Sequence, residues 1–366
     1  MSAKLLAQFD IQYPNFNLKI DLALPTKGVT TLFGPSGSGK STILRCIAGL
    51  EKDARGYLQI AGEIWQDDKH HIFLPPHQRS LGYVFQEPRL FSHLSVQKNL
   101  EYGLKRTPKS QRNIDWDQVV DMLAIEHLLH RKPNRLSLGE QQRIAIGRAL
   151  LASPKLLLMD EPLASLDIVR KREVLPFIRK LHGEFDIPVI YVSHSLQEVL
   201  QITDVMVLIR GGKVMATGSL AKICSEFELS QYLGDMSGSV IETTVVAHEE
   251  EFGLSRLGFN GSHLQVPKQP IEIGQALRVH ILACNVGISL QKPQEAMSIL
   301  NIMPATVVEI SAPESEKYTV QIKLDVGVPL LASISRKSLH TLKLEPGQQC
   351  YALIKAVSLA QDIAGV

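Results

Sequence analysis

The nine residues Gly34-Pro35-Ser36-Gly37-Ser38-Gly39-Lys40-Ser41-Thr42 constrain this chain more than any other stretch. They follow the apolar run Val29 to Phe33 and precede the helix-like run Ile43 to Leu50. They fill the pattern G-x-x-x-x-G-K-[ST] in the strand, loop, helix order that the pattern needs. Glycines let the backbone curl into a cup of amide hydrogens, and the following helix turns its positive end to the same spot. The loop is therefore suited to a polyphosphate, held without base-specific contacts. Lys40 would neutralise terminal phosphate oxygens, and the Ser41 hydroxyl suits the Mg²⁺ that travels with a nucleotide. The alternative is a plain glycine-rich turn, against which stand four fixed positions in the right setting.

Five further motifs follow in order. Gln86 ends the apolar strand Leu81 to Phe85, and Leu136-Ser137-Leu138-Gly139-Glu140-Gln141 opens a helix that runs through Leu150. Leu156 to Met159 leads into Asp160-Glu161-Pro162, then comes Ala164-Ser165-Leu166-Asp167, and Val189 to Val192 delivers Ser193-His194. A carboxylate at the end of a buried strand can hold a Mg²⁺ shell, which is the place of Asp160. Glu161, one residue on, is the candidate general base for an attacking water. A lone histidine at a strand end is usually structural, but in this company His194 is placed to hydrogen-bond a γ-phosphate and steady the water.

This set of motifs resembles the ABC-transporter ATPase family. The resemblance implies an α/β phosphate-loop ATPase, with a RecA-like core and a helical subdomain at about residues 87–150, that uses ATP and Mg²⁺. By the same resemblance Gln86 is a hinge that touches Mg²⁺ or water, and Tyr13 stacks on adenine, with Phe16 or Phe9 as alternatives. Ser137, Gly139 and Glu140 of the signature turn, with Asp167, then face ATP held by the phosphate loop of a second copy, so a head-to-tail homodimer is implied. The chain departs from the family pattern at Leu138, where glycine is usual. If that position needs positive φ, leucine adds roughly 1–2 kcal/mol, and Leu138→Gly is expected to hold or raise turnover.

At 366 residues the chain has room for two or three domains. Its 39 basic and 37 acidic side chains nearly balance, with no clustered basic face of the kind nucleic-acid binding needs. It has no apolar stretch of about eighteen residues and no leader-like start, so the expectation is a cytoplasmic protein without a membrane span. Cys46, Cys224, Cys284 and Cys350 form no C-x-x-C pair and read as reduced, buried thiols. His70, His71 and His77 flank a proline turn, and Asp67-Asp68-Lys69 reads as a solvated hairpin tip.

The first domain is expected to end near residue 235. Short strands follow, with a hairpin whose tip is Asn260-Gly261. A β-rich connecting segment at 236–290 then leads to 291–366. There Val320, Ile322 and Leu324 alternate with polar residues, and several strands with one inserted helix suggest an all-β OB-like barrel. The barrel could serve only to dimerise. Ser298-Ile299-Leu300-Asn301, Ala305 to Ile310, Ser333 to Ser338 and Ala352 to Ala356 resemble the Mop domain of molybdate-binding proteins. That resemblance implies an oxyanion site at Ser298, Ser335, Ser338 and Lys355, while Leu300 stands where an arginine is frequent.

An ABC ATPase joined to one Mop domain is similar to the energy-coupling subunits of molybdate importers, with tungstate as a second possible cargo. The partners then implied are a second copy, an integral membrane permease and a periplasmic or extracellular molybdate-binding protein. The place implied is the cytoplasmic face of the bacterial inner membrane, as a peripheral subunit. Importers for sulfate, iron or sugar remain alternatives, because the cargo is chosen by the partners.

Overall fold

Strict alternation of apolar and polar residues makes two-faced antiparallel strands, whereas unbroken apolar runs make parallel strands buried on both faces. The chain uses both. The structure, a computed structural model, describes residues 4–294, 297–312, 318–359 and 363–365. It comprises two compact units, residues 1–217 and 218–366.

In the first unit the alternating strands β1 (Lys4–Tyr13) and β2 (Phe16–Pro25) form a hairpin closed by the Tyr13–Phe16 pair. The unbroken run β3 (Val29–Phe33) leads through the phosphate loop into α1 (Lys40–Ala48). Strands β4 (Arg55–Ile60), β5 (Glu63–Asp67) and β6 (Ile72–Phe73) extend the hairpin into a five-stranded sheet, order β2-β1-β4-β5-β6.

The central sheet gathers the apolar runs: β7 (Leu81–Val84), β8 (Leu156–Asp160), β9 (Val189–Ser193), β10 (Val205–Arg210) and β11 (Lys213–Gly218). Its order is β11-β10-β3-β9-β8-β7, and every pair from β10 to β7 is parallel. Parallel strands end at one edge, so the chain leaving β3, β7, β8 and β9 emerges on the same side.

A helical layer follows β7: α2 (Val96–Leu104), α3 (Trp116–Met122) and α4 (Leu138–Leu150). Gly147 lets α4 approach closely, since a Cβ there would stand 3.0 Å from both Leu100 and Leu123. The helices α5 (Ile168–Phe185) and α6 (Leu196–Ile202) alternate with the last central strands.

The second unit begins with α7 (Leu220–Ser225) and α8 (Phe227–Leu233). Its strands are β12 (Gly238–Glu249), β13 (Leu254–Phe259), β14 (Ser262–Pro267), β15 (Ala276–Leu282), β16 (Val286–Ser289), β17 (Asn301–Ile310), β18 (Thr319–Asp325) and β19 (Pro329–Ser335). Then come α9 (Arg336–Leu342), β20 (Gln349–Ile354) and β21 (Ile363–Gly365). They form two sheets, β14-β13-β12-β15-β21 and β16-β20-β17-β18-β19. The expected hairpin is present, with Asn260 and Gly261 both at positive φ between β13 and β14. One apolar core serves both sheets, joining Ile241, Leu257 and Val279 to Val307, Ile322 and Ile354.

Two local expectations are corrected. The segment Asp67-Asp68-Lys69 is a hairpin turn between β5 and β6 with Lys69 exposed, but Asp67 is buried and accepts from the Lys69 and His70 amides and the His70 ring, so it caps the turn from inside. Cys284 is exposed, unlike the three buried cysteines.

Arg79 is buried and ties the end of α1 in place. Nη1 donates to the carbonyls of Cys46 and Ile47 at 3.1 and 2.6 Å, and Nε donates to Leu74 O at 2.7 Å. Burial lowers its pKa to about 10, which leaves it cationic at neutral pH against the negative end of the helix. Arg79→Met strips these carbonyls of a charged donor in a buried place. It is expected to cost about 2–3 kcal/mol, read as a lower urea midpoint for the first unit; an unchanged midpoint would refute this role.

Candidate nucleotide site

The phosphate loop is packed tightly against β2 and β10. A Cβ on Gly34 would lie 2.1 Å from Ile209 O, and one on Gly39, at φ 102, would lie 2.7 Å from the Phe16 ring. Only glycine fits either place. Lys40 is buried and its Nζ donates to Gly34 O and Pro35 O, both at 2.8 Å. Burial lowers its pKa, while the nearby Glu161 and Asp160 carboxylates work the other way. Ser38 is anchored through its backbone, donating to Pro35 O and accepting from the Gly212 amide. Its buried Oγ has no partner among the described residues. An orphaned hydroxyl inside a cup of amides suits a phosphate oxygen. Pro35, Ser36, Gly37 and Ser41 are exposed around it, and Thr42 is half-buried.

The strand ends bring the acids to this loop. Ser41 Oγ donates to Asp160 Oδ1 at 2.7 Å, joining the first turn of α1 to the end of β8. The Tyr83 hydroxyl, from β7, donates to the other oxygen at 3.0 Å. Burial, then the Asp160 charge, pushes the Tyr83 phenol far up, so it stays a donor. Nothing in the sequence marked Tyr83, because an aromatic in a half-buried strand carries no motif. Glu161 stands in the left-handed region at φ 45, its amide donating to Val192 O at 3.2 Å. A non-glycine residue held there stores about 1–3 kcal/mol of strain. The bend takes Glu161 off the line of β8, and its Oε2 lies 3.2 Å from His194 Nδ1. Gln86 is exposed two residues past β7.

Ser41 and Asp160 offer hard oxygen donors already joined by a hydrogen bond, and Gln86, on the chain leaving β7 at the same edge of the sheet, carries a third oxygen. Mg²⁺ needs little more from a protein, because it keeps several waters and takes substrate phosphates as further ligands.

The aromatic candidates separate. Phe9 lies in the core and Phe16 packs on Gly39, while Tyr13 is 38% exposed with its ring 6.3 Å from Phe16. Burial and a hydrogen bond with Glu51 raise the Tyr13 phenol.

The signature turn is the capped start of α4. Ser137 Oγ accepts from the Glu140 amide at 3.2 Å, and Glu140 Oε2 accepts from the Ser137 amide at 2.7 Å. Burial raises the Glu140 pKa, but the bonds from Ser137 and the positive charge of Arg143 and Arg131 outweigh it and hold the carboxyl low. Gly139 is buried on the side toward Val174. Leu138 corrects an expectation. It is the first helical residue, it is not at positive φ, and it packs on the core of the helical layer. Glycine there relieves no strain and gives up the packing of the leucine side chain. Asp167 caps α5, accepting from the Arg170 amide at 2.9 Å.

In the second unit the four oxyanion candidates fall into two pairs. Ser298 precedes β17, whose first residue pairs with Ile354, so the chain beside it ends in Lys355. Ser335 ends β19, caps α9 and shares a 2.8 Å hydroxyl bond with Ser338. Ser298, Lys355 and Leu300 are exposed.

Comparison with known proteins agrees with both halves. The ABC transporter family matches residues 18–164, and the TOBE domain family matches 297–361. The chain is 51% identical over 350 residues to the Molybdenum import ATP-binding protein ModC of Pseudomonas fluorescens, covering 95% of this chain and 97% of that one. It is 48% identical to ModC 1 of Azotobacter vinelandii, covering 96% and 98%, and 50% identical to ModC of Pseudomonas aeruginosa, covering 97% and 99%. Among solved structures, cbiO1 of Clostridium perfringens, part of the ABC transporter complex cbiONQ, shares the fold. It aligns with a TM-score of 0.53 at 24% identity, over 63% of this chain and 94% of that one. With half its residues shared over nearly the full length of these relatives, the chain belongs to the ModC family of molybdenum import ATP-binding proteins, within the ABC transporters.

Proposed function

We propose that this chain is the ATP-hydrolysing, energy-coupling subunit of an ABC importer for molybdate. The observation that carries the reading is the convergence of Lys40, Ser41, Asp160, Glu161 and His194 at one edge of the parallel sheet, in a chain so similar to the ModC proteins. The loop amides and Ser38 Oγ bind the β- and γ-phosphates of ATP, and Lys40 leaves its carbonyl partners to neutralise them. Tyr13 stacks on adenine.

When bound, Mg²⁺ at Ser41, Asp160 and Gln86 offsets the charge of the phosphates. Glu161 accepts the proton of the attacking water, and His194, held against it, orients that water toward the γ-phosphate. The products are ADP and phosphate. Ser137, Gly139, Glu140 and Asp167 belong to the face that meets ATP in a second copy, with the amide end of α4 directed at its γ-phosphate.

The residues after Gln86 are the docking site for a membrane permease. There the Phe91 and Tyr102 rings pack with centroids 4.4 Å apart, tilted by 43°, and Arg148 lies 5.1 Å above Phe91. Among the described residues no helix is long and apolar enough to cross a membrane, in keeping with a peripheral subunit on the cytoplasmic face of the inner membrane. A periplasmic or extracellular molybdate-binding protein delivers the anion to the permease. The second unit offers hydroxyls and Lys355 for an oxyanion, through the charge-assisted bonds such an anion prefers.

Glu161→Gln is expected to lower ATP turnover at least ~100-fold, the scale of general base catalysis, while nucleotide binding persists and a dimer accumulates by light scattering. Wild-type turnover in that variant removes Glu161 from the role of base. Cells lacking the chain are expected to lose molybdoenzyme activity and regain it in excess molybdate. Recovery with sulfate, iron or sugar in place of molybdate would transfer the assignment to that cargo.

A further inference from the structure

Ser195-Leu196-Gln197-Glu198 has the spacing of a capping box, in which the last carboxylate turns back to the amide of the first residue. Ser195 does cap α6, accepting from the Glu198 amide at 3.5 Å. Glu198 does not return the bond. Its side chain is buried, and Oε2 accepts from the hydroxyls of Tyr191 and Ser193, both at 2.8 Å. Oε1 accepts from Lys171 Nζ, also at 2.8 Å. The Ser195 amide is served instead by Ser193 Oγ at 2.9 Å.

A carboxylate taken out of water is costly unless paired, and the ordinary box would have satisfied this helix end at the surface, as Ser137 and Glu140 do at α4. What the inward turn achieves is a link between three elements. Ser193 and Ser195 flank His194, and the bonds from Glu198 through Ser193 Oγ to the Ser195 amide span that residue. Lys171 lies one turn into α5, and its amide donates to Asp167 O at 2.9 Å. Tyr191 adds a bond from within β9, its phenol pushed up by burial and by the Glu198 charge so that it remains a donor.

We propose that Glu198 is a positioning residue for hydrolysis. It holds the Ser193–Ser195 loop, and with it His194, in fixed relation to the Asp167 end of α5, so that the histidine and the face proposed to meet the second copy move as one body. The inference rests on the roles given above to Glu161 and His194.

The test is steady-state ATPase kinetics of the full-length chain with Mg²⁺ and ATP. Glu198→Gln keeps a hydrogen-bonding group but loses the ion pair, and is expected to lower kcat by about tenfold or more with KM for ATP within about twofold, the split expected when transition-state geometry is lost and ground-state binding is kept. Ser193→Ala is expected to lower kcat likewise, and the double variant to fall little further, because the two act through one link. Lys171→Met is expected to lose kcat and Lys171→Arg to recover most of it.

Wild-type kcat in Glu198→Gln overturns the proposal, as does a double variant whose losses multiply. If Glu198→Gln does not fold, Ser193→Ala and Lys171→Met decide, and wild-type kcat in both overturns it. An inactive Glu161→Gln beside a fully active Glu198→Gln sinks only this inference, whereas an active Glu161→Gln sinks the reading beneath it.

Discussion

The bond between Ser41 and Asp160 joins the two motifs on which the site depends, and it can form only because β3 and β8 run parallel and end at the same edge. β9 lies between them in the sheet, so its own end must fall beside both. Burial on both faces makes this edge stiff. β3 and β9 are buried throughout, and β8 is buried up to Asp160. A stiff edge matters because phosphoryl transfer depends on positioning and electrostatics more than on covalent help from the protein.

Two serine–glutamate pairs with the same spacing start helices α4 and α6 in different ways. At α4 the carboxylate stays outside and completes the helix cap, leaving the turn defined but solvated. At α6 it turns inward and accepts three side-chain donors. The difference lies in what surrounds each helix start. Tyr191 and Ser193 project toward α6 from β9, and Lys171 reaches it from α5, so the inward carboxylate meets donors enough to offset the loss of water. Near Ser137 the basic neighbours that act on Glu140, Arg143 and Arg131, stay outside the core.

The second unit follows another physical rule. Its strands alternate, its two antiparallel sheets share one core, and its polar candidates sit at strand ends and at the start of α9. Short strands with one buried face gain stability only when a second sheet covers them. That is why residues 238–289 and 301–354, though they carry different motifs, close over the same apolar side chains.

Periodicity and local chemistry were enough to read the phosphate loop, the apolar strands that deliver the motifs, and the Asn260-Gly261 hairpin from the chain alone, because each depends on neighbours in sequence. Family likeness added the roles expected of Gln86, Ser137 and Asp167, and it raised a strain at Leu138 that disappears once that residue is seen inside a helix. Three things needed the folded chain: the Tyr83 bond to Asp160, the burial of Arg79 at the end of α1, and the inward turn of Glu198. Each joins residues from different elements or chooses between two partners of similar local merit. Such choices are decided by which donors the packed strands and helices bring within about 3 Å, a distance that no spacing along the sequence encodes.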